Sequence, residues 1–270
     1  MTDATPASPV AVADHRHDGL SWRESGKGPP VIFLHGLGGT RSAWGSQLRG
    51  LADQFRCIAW DMPGYGDAAP LTPLTYRGIA QRVVDLIDAV GAERADLVGL
   101  SFGGMQALHT AINFPQRVGR LVLADTSPAF GMDGTTKEDW TRDRLAPLEN
   151  GGTPADGAER VIDLITGIRL TGEIRAEQIQ CFSEISPEGF RSAVECLPTN
   201  DIRSQLQSIE HPSLVIVGEL DKETPPSYAA VLNDGLPNSR LEILPGVGHL
   251  SPAEAPDAFN ALVRDFLLTR

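Results

Sequence analysis

Short apolar runs recur along the chain, separated mostly by segments with the spacing of an amphipathic helix. The runs occupy residues 31–34, 57–60, 97–98, 121–123, 214–217 and 241–244. They are rich in β-branched residues and are bounded by Gly, Pro or Asp, which is typical of buried parallel strands. Residues 79–90 and 256–268 carry their apolar side chains on one helical stripe. This alternation predicts an α/β fold, with a mostly parallel sheet covered by helices on both faces.

The alternation stops between residues 131 and 208, where helical patterns follow one another without a convincing strand. A chain of 270 residues fits one α/β core with an insertion. The sequence therefore predicts a core over residues 19–130 and 209–270, with a helical lid over residues 131–208. Residues 20–24 are expected to form an antiparallel edge strand. Residues 1–18 lack a basic start followed by an apolar stretch, so they are interpreted as a flexible tail and not as a signal peptide.

Composition restricts the partners. The net charge of −12 is scattered singly and would repel nucleic acid and anionic membranes. No apolar run approaches the length of a membrane span. Cys57, Cys181 and Cys196 form neither a disulfide framework nor a zinc-binding spacing. We therefore expect a cytoplasmic protein that acts on a small molecule and needs no metal or cofactor.

The segment GLSFG, residues 99–103, places a serine between an apolar run and a helical pattern. A serine on a sharp strand-to-helix turn has a strained backbone, and side chains two residues away on either side would clash. Gly99 and Gly103 remove those clashes, and the turn exposes the Ser101 hydroxyl at a helix N-terminus. The pattern predicts that Ser101 is a nucleophile.

A serine nucleophile needs a base and an acid that orients the base. His249 follows the last apolar run and lies in a turn between Gly248 and Pro252, so it is predicted to be the base. Asp221, after the run at 214–217, is predicted to be the acid, with Asp125 as the alternative. The other histidines are interpreted as structural or exposed: His15, His17, His35, His109 and His211.

Attack on a carbonyl also needs donors that stabilise the oxyanion. The backbone N–H of Phe102 is one predicted donor. The second should come from the glycine-rich loop after residues 31–34, where Leu37 is the first candidate and Gly38 the alternative. His35 is expected to brace this loop through its ring nitrogens.

Five segments stand in the order typical of one superfamily. They read HGLGG, DMPGYGDAAP, GLSFGG, GELDKETPP and GVGHLSPAEAP. Over residues 19–270 the chain resembles the α/β-hydrolase superfamily, and within it the 3-oxoadipate enol-lactonase group. The resemblance implies a triad of Ser101, Asp221 and His249, with oxyanion donors at Leu37 and Phe102. The chain departs from the pattern at Phe102, where an aliphatic residue is usual, and in the segment around Trp140.

We therefore expect a cofactor-free serine hydrolase that cleaves an ester-type bond, most of all in a small lactone. Trp140 is expected either to wall the pocket or to pack within the lid. An arginine of the lid could bind a substrate carboxylate, which would favour carboxylated enol-lactones. The candidates are Arg142, Arg144, Arg160, Arg169, Arg175 and Arg191. The alternatives are a carbon–carbon hydrolase of ring-cleavage products, a general carboxylesterase, a perhydrolase and a ligand receptor with the same fold.

Overall fold

The computed structural model describes residues 11–269, and its centre is one eight-stranded sheet. The strands are β1 Val12–His17, β2 Leu20–Ser25, β3 Pro30–Leu34, β4 Arg56–Asp61, β5 Ala95–Leu100, β6 Val118–Ala124, β7 Ser213–Gly218 and β8 Ser239–Leu244. Their order in the sheet is β1-β2-β4-β3-β5-β6-β7-β8. The β1–β2 and β2–β4 pairs are antiparallel and the others are parallel. The predicted fold class is confirmed.

Helices cover both faces of the sheet. They are α1 Gly45–Gly50, α2 Tyr76–Ala89, α3 Phe102–Asn113, α4 Lys137–Leu145, α5 Ala158–Ile165, α6 Gly172–Ser183, α7 Pro187–Cys196, α8 Pro226–Gly235, α9 Ser251–Glu254 and α10 Pro256–Leu268. Short 3-10 helices occupy Arg41–Trp44, Pro115–Arg117, Ala146–Gly151, Pro154–Gly157, Leu197–Thr199 and Arg203–Ser208. Among the described residues, no helix is both long and apolar enough to cross a membrane.

The central strands are buried because both of their faces pack against helices. In β3, Ile32 and Leu34 point into the core beneath α2 and α3. Val31 and Phe33 point to the opposite face, into the core beneath α1 and α10. Successive side chains of a strand point to opposite faces, so an entirely apolar run is the pattern that a doubly covered strand requires.

The prediction of a flexible tail over residues 1–18 is wrong for Val12–His17, which form β1 and pair with β2. Asp18 and Gly19 connect the two strands with φ values of 46° and 74°, the backbone of a type I′ hairpin turn. The Asp-Gly pair was thus a local signal for this hairpin. The β1 strand was missed because it is almost entirely exposed and carries no apolar run. Residues 1–10 lie outside the described part of the chain.

The chain between β6 and β7 holds α4, α5, α6 and α7 and no strand of the main sheet. These helices surround the cavity that opens beside Ser101. Since strands β3 to β8 run parallel, their carboxyl ends meet at one edge of the sheet, and the loops that follow them converge there. The loops at this edge carry Ser101, Asp221 and His249.

Candidate active site

Ser101 lies at the turn between β5 and α3, with φ 54° and ψ −118°. A residue other than glycine rarely adopts a positive φ, because this backbone conformation is strained. The strain persists only where the surrounding structure imposes it. A Cβ atom at Gly99 would collide with the Gly103 carbonyl, and one at Gly103 would collide with the Leu34 carbonyl. The two glycines therefore let the turn pack tightly enough to hold Ser101 in this conformation, as the sequence predicted.

His249 joins Ser101 to Asp221. Its Nε2 lies 3.0 Å from Ser101 Oγ, and its Nδ1 lies 2.8 Å from Asp221 Oδ2. Since a carboxylate accepts, Nδ1–H donates to Asp221, and in the neutral imidazole Nε2 is left to accept the Ser101 hydroxyl proton. The structure brings together the three residues that the sequence singled out, in the order nucleophile, base and acid.

Asp221 is held by the turn that follows it. The N–H groups of Glu223 and Thr224 donate to Oδ1 at 2.9 and 3.0 Å, and the Thr224 hydroxyl donates to Oδ2 at 2.9 Å. Burial raises the pKa of Asp221, but the charge and hydrogen bond of His249 outweigh it and leave that pKa below its usual value. Asp221 is therefore an ionised acceptor that faces the imidazole.

The contact between Asp221 and His249 also determines the basicity of His249. Burial lowers the pKa of its imidazole, but the adjacent Asp221 carboxylate outweighs burial and raises it to about 9. The imidazolium formed when Ser101 loses its proton would thus be stabilised by a carboxylate in contact.

Asp125, the alternative acid, does not hydrogen-bond to His249. Its Oδ1 accepts the Gly218 N–H at 2.9 Å, and its Oδ2 accepts the Ser251 N–H at 3.0 Å. Burial, and then the nearby Asp221 charge, raise the pKa of Asp125 to about 7. Asp125 thus connects the end of β7 to the start of α9, and the geometry favours Asp221 as the partner of the imidazole.

The loop after β3 lies against Ser101. A Cβ atom built on Gly36 would lie 3.4 Å from Ser101 Cβ. His35 braces this loop as expected: its Nδ1–H donates to the Gly36 carbonyl at 2.8 Å, and its Nε2 accepts the Met62 N–H at 3.1 Å. Within residues 11–269 the N–H groups of Leu37 and Phe102 donate to no other group. Both are therefore available to an oxyanion, and the N–H of Gly38 is equally uncommitted.

A cavity of about 220 Å³ lies between the sheet edge and the inserted helices. Ser101 and His249 form its polar floor, and its walls are largely apolar. The wall residues include Trp140, Val161, Ile162, Ile165, Phe182, Phe190 and Leu197. Such a cavity holds a small apolar molecule with one reactive polar group.

Trp140, on α4, fulfils both roles considered for it. It lines the cavity, while its Nε1–H donates to the Val194 carbonyl at 3.2 Å and its ring packs edge-on to Phe130. Among the six candidate arginines, Arg144 alone lines the cavity. Its guanidinium lies 4.5 Å from the centre of the Trp140 ring and donates to Glu223 Oε2 at 2.6 Å.

Sequence reasoning missed Glu254, a buried carboxylate of α9. Its Oε2 accepts the N–H groups of Gly167, Ile168 and Gly248 at 2.7, 3.1 and 2.9 Å. Its Oε1 accepts the Leu250 N–H at 3.0 Å. One side chain thus binds the residues on either side of His249 and a segment of the insertion.

The insertion also contacts the histidine loop directly. The N–H of His249 donates to the Ile165 carbonyl at 2.8 Å. A Cβ atom at Gly248 would meet the backbone of Ile165, Thr166 and Gly167. The end of α5 and the His249 loop are therefore packed backbone against backbone. A glutamate five residues after the predicted base was the available signal, but nothing local showed what it would bind.

Within residues 11–269 no cluster of three or more His, Cys, Asp or Glu side chains has the arrangement of a metal site. The groups assembled at the sheet edge are those of acyl transfer by a serine: a hydroxyl, an imidazole, a carboxylate and free N–H donors.

The model of the Alpha/beta hydrolase family matches residues 31–262. The chain belongs to this family. It is 33% identical over 248 residues to a Caulobacter sp. (strain K31) protein provisionally named carbamate hydrolase RutD, covering 88% of this chain and 90% of that one. It is 30% identical over 237 residues to 3-oxoadipate enol-lactonase 2 of Acinetobacter baylyi, covering 87% of both.

Among solved structures of α/β hydrolases, the enol-lactonase of Burkholderia xenovorans LB400 superimposes with a TM-score of 0.83 at 25% identity, over 95% of this chain and 100% of that one. The predicted resemblance to the enol-lactonase group and the predicted hydrolase class are thereby confirmed.

Proposed function

We propose that this α/β hydrolase cleaves the ester bond of a small substrate through Ser101, and that small lactones are its preferred class. The observation that carries the proposal is the placement of His249 between Ser101 and Asp221, at the floor of a small, largely apolar cavity. The likeness to two enol-lactonases supports a lactone. The helices of residues 131–208 would act as the lid of that cavity.

In the proposed reaction, Ser101 Oγ attacks the carbonyl carbon while His249 Nε2 takes the hydroxyl proton. The oxygen of the carbonyl becomes an oxyanion that accepts from the N–H groups of Phe102 and Leu37. Asp221 holds the imidazole in the required tautomer and stabilises its charged form.

The intermediate then collapses, and His249 gives its proton to the departing alkoxide. In a lactone this alkoxide stays attached to the acyl group, so an acyl-enzyme with a free hydroxyl remains. Water attacks the ester of Ser101 while His249 takes its proton. The proton returns to Ser101 Oγ as the hydroxy acid leaves. Apart from the attacking water, every step uses groups that the chain itself supplies.

A substrate panel tests the proposal. It comprises small lactones, short and long p-nitrophenyl esters and a ring-cleavage dienoate, with Ser101→Ala as the blank. The expected result is the highest kcat/KM for a small lactone, and a lower kcat/KM for long than for short esters because a cavity of about 220 Å³ excludes a long chain. Faster turnover of the dienoate would indicate a carbon–carbon hydrolase, and preference for long esters a general carboxylesterase. Tight binding without any turnover would contradict the enzyme proposal and favour a receptor.

A further inference from the structure

Three charged side chains lie on the wall of the cavity: Asp143, Arg144 and Glu223. Arg144 pairs with Glu223 at 2.6 Å and Asp143 pairs with Arg142 at 2.9 Å, so each charge on this part of the wall already has a partner. The other wall residues from the insertion are apolar except Gln178, whose amide donates to the Ala43 carbonyl at 3.1 Å. Whether the cavity binds a substrate carboxylate therefore depends on whether Arg144 is free to pair with it.

Arg144 is already engaged on two sides. Its Nη2 donates to Glu223 Oε2 at 2.6 Å, and its guanidinium carbon lies 4.5 Å from the centre of the Trp140 ring. One face of the guanidinium is covered by an aromatic ring, and part of its fork is occupied by a carboxylate. A carboxylate on the substrate would have to displace Glu223 and then share the site with it.

Glu223 cannot easily be withdrawn from this position. Its backbone N–H donates to Asp221 Oδ1 at 2.9 Å, so its main chain is tied to the residue that orients His249. A displaced Glu223 side chain would remain close to the cavity as an unpaired negative charge. Asp143, three residues beyond Trp140 on α4, is a second carboxylate on the same wall, and it is paired with Arg142 at 2.9 Å.

We propose that the Arg144–Glu223 pair, resting on Trp140, makes the enzyme selective for lactones and esters whose acyl part is uncharged. This inference rests on the proposed ester-hydrolase function. It replaces the carboxylated substrate expected from the arginine content of residues 131–208. Five of those six arginines do not line the cavity, and the sixth is already paired.

Matched esters test this selectivity. One is p-nitrophenyl pentanoate, and the other is mono-p-nitrophenyl glutarate, whose five-carbon acyl chain ends in a carboxylate. For the native protein we expect kcat/KM to be about fivefold higher for the neutral ester, since the carboxylate of the anionic one has to compete with Glu223 for Arg144. An equal or higher value for the glutarate ester would overturn the proposal.

Two substitutions should move this ratio in opposite directions. Glu223→Gln removes a negative charge and leaves Arg144 free, so the preference for the neutral ester should fall by up to about fivefold, the size of an exposed ion pair. Arg144→Gln leaves Glu223 unpaired, so the preference should rise. Both esters are measured at the same pH, so an altered basicity of His249 cancels in the ratio. An unchanged ratio in Glu223→Gln would refute the role of the pair.

Arg203→Gln is the matched control. Arg203 lies in the 3-10 helix Arg203–Ser208 of the insertion, does not line the cavity and pairs with Asp201 at the surface. Its removal should leave the ratio of the two esters unchanged, which separates the effect of the cavity pair from the loss of a positive charge elsewhere in the insertion. A shift equal to that of Arg144→Gln would contradict the assignment.

Binding to Ser101→Ala separates this inference from the proposed function. Competition calorimetry with the two intact esters gives their Kd values without turnover. Tighter binding of the pentanoate ester supports the charge selectivity even if the native protein hydrolyses neither ester, in which case the hydrolase proposal alone fails. Tighter binding of the glutarate ester refutes the selectivity even if both esters are hydrolysed.

Discussion

Replacing Glu254 by glutamine removes a charge while keeping the shape of the side chain. The carboxylate accepts three N–H groups at Oε2 and one at Oε1. A glutamine oxygen placed at Oε2 keeps three of these bonds but loses their charge assistance. Its amide NH₂ then faces the Leu250 N–H, and because both groups are hydrogen-bond donors they cannot bond to each other. The variant therefore leaves a buried donor without an acceptor directly beside His249.

The expected magnitude follows from these contacts. A buried unsatisfied donor costs about 1–3 kcal/mol, and hydrogen bonds to a charged group exceed neutral ones by about 1 kcal/mol each. Because removing the charge also relieves its desolvation, we expect a net loss of about 2–4 kcal/mol in the free energy of unfolding. For a chain of this size the Tm should fall by roughly 5–15 °C. A loop shift of about 1 Å at the base costs about 100-fold in rate, so kcat should fall by roughly 10- to 100-fold with little change in KM.

The assay is thermal unfolding together with ester hydrolysis at 25 °C, where the variant is still folded. Glu219→Gln is the matched control, since exposed Glu219 accepts one N–H from the same loop, that of Gly246, at 2.8 Å. It should change neither Tm nor kcat appreciably. A lowered Tm with an unchanged kcat in Glu254→Gln would show that Glu254 stabilises the fold without positioning His249. No change in either quantity would refute the whole argument.

The remaining predictions concern the proposed triad and the alternative acid, Asp125. Ser101→Ala should lower hydrolysis of an activated ester by about six orders of magnitude while leaving the circular dichroism spectrum intact, and substantial turnover by this variant would exclude Ser101 as the nucleophile. Asp221→Asn should lower kcat by about four orders of magnitude. Asp125→Asn should cost little activity, although it deprives a buried N–H of its acceptor and should lower the free energy of unfolding by about 1–3 kcal/mol; reversed effects on kcat would assign the acid role to Asp125. Since His249 must be neutral to act as base and Asp221 raises its pKa to about 9, kcat/KM should rise with pH, reach half of its maximum near pH 9 and level off above it. A half-maximum near the ordinary value of about 6.5 would contradict that shift. Because the folded-state pKa is the raised one, the stabilising effect of the His249–Asp221 pair should be fully present below about pH 6.5 and lost as the pH rises through about 9.

The sequence by itself determined the parts of this protein that depend on local pattern. The apolar runs identified the central strands, since a strand covered on both faces needs an apolar residue at every position. The spacing of GLSFG indicated the Ser101 turn, because glycines at fixed offsets are a local steric requirement. The order of Ser101, Asp221 and His249 along the chain then followed from which loops reach the carboxyl edge of a parallel sheet. The β1 strand is exposed and largely polar, so its sequence carries no apolar pattern from which the strand could be predicted.

The tertiary structure alone decided which side chains meet. The sequence did not distinguish Arg144 from the other five candidate arginines. The packing of α4 places Arg144 against Glu223, a residue 79 positions away. Glu254 had no local partner, because two of the N–H groups that it accepts lie 87 and 86 residues earlier, in the insertion. The choice between Asp125 and Asp221 likewise depended on where each carboxylate points after its strand ends. The spacing of apolar residues indicates only which faces of a segment are buried. A contact between distant side chains depends on the complete packing of the chain.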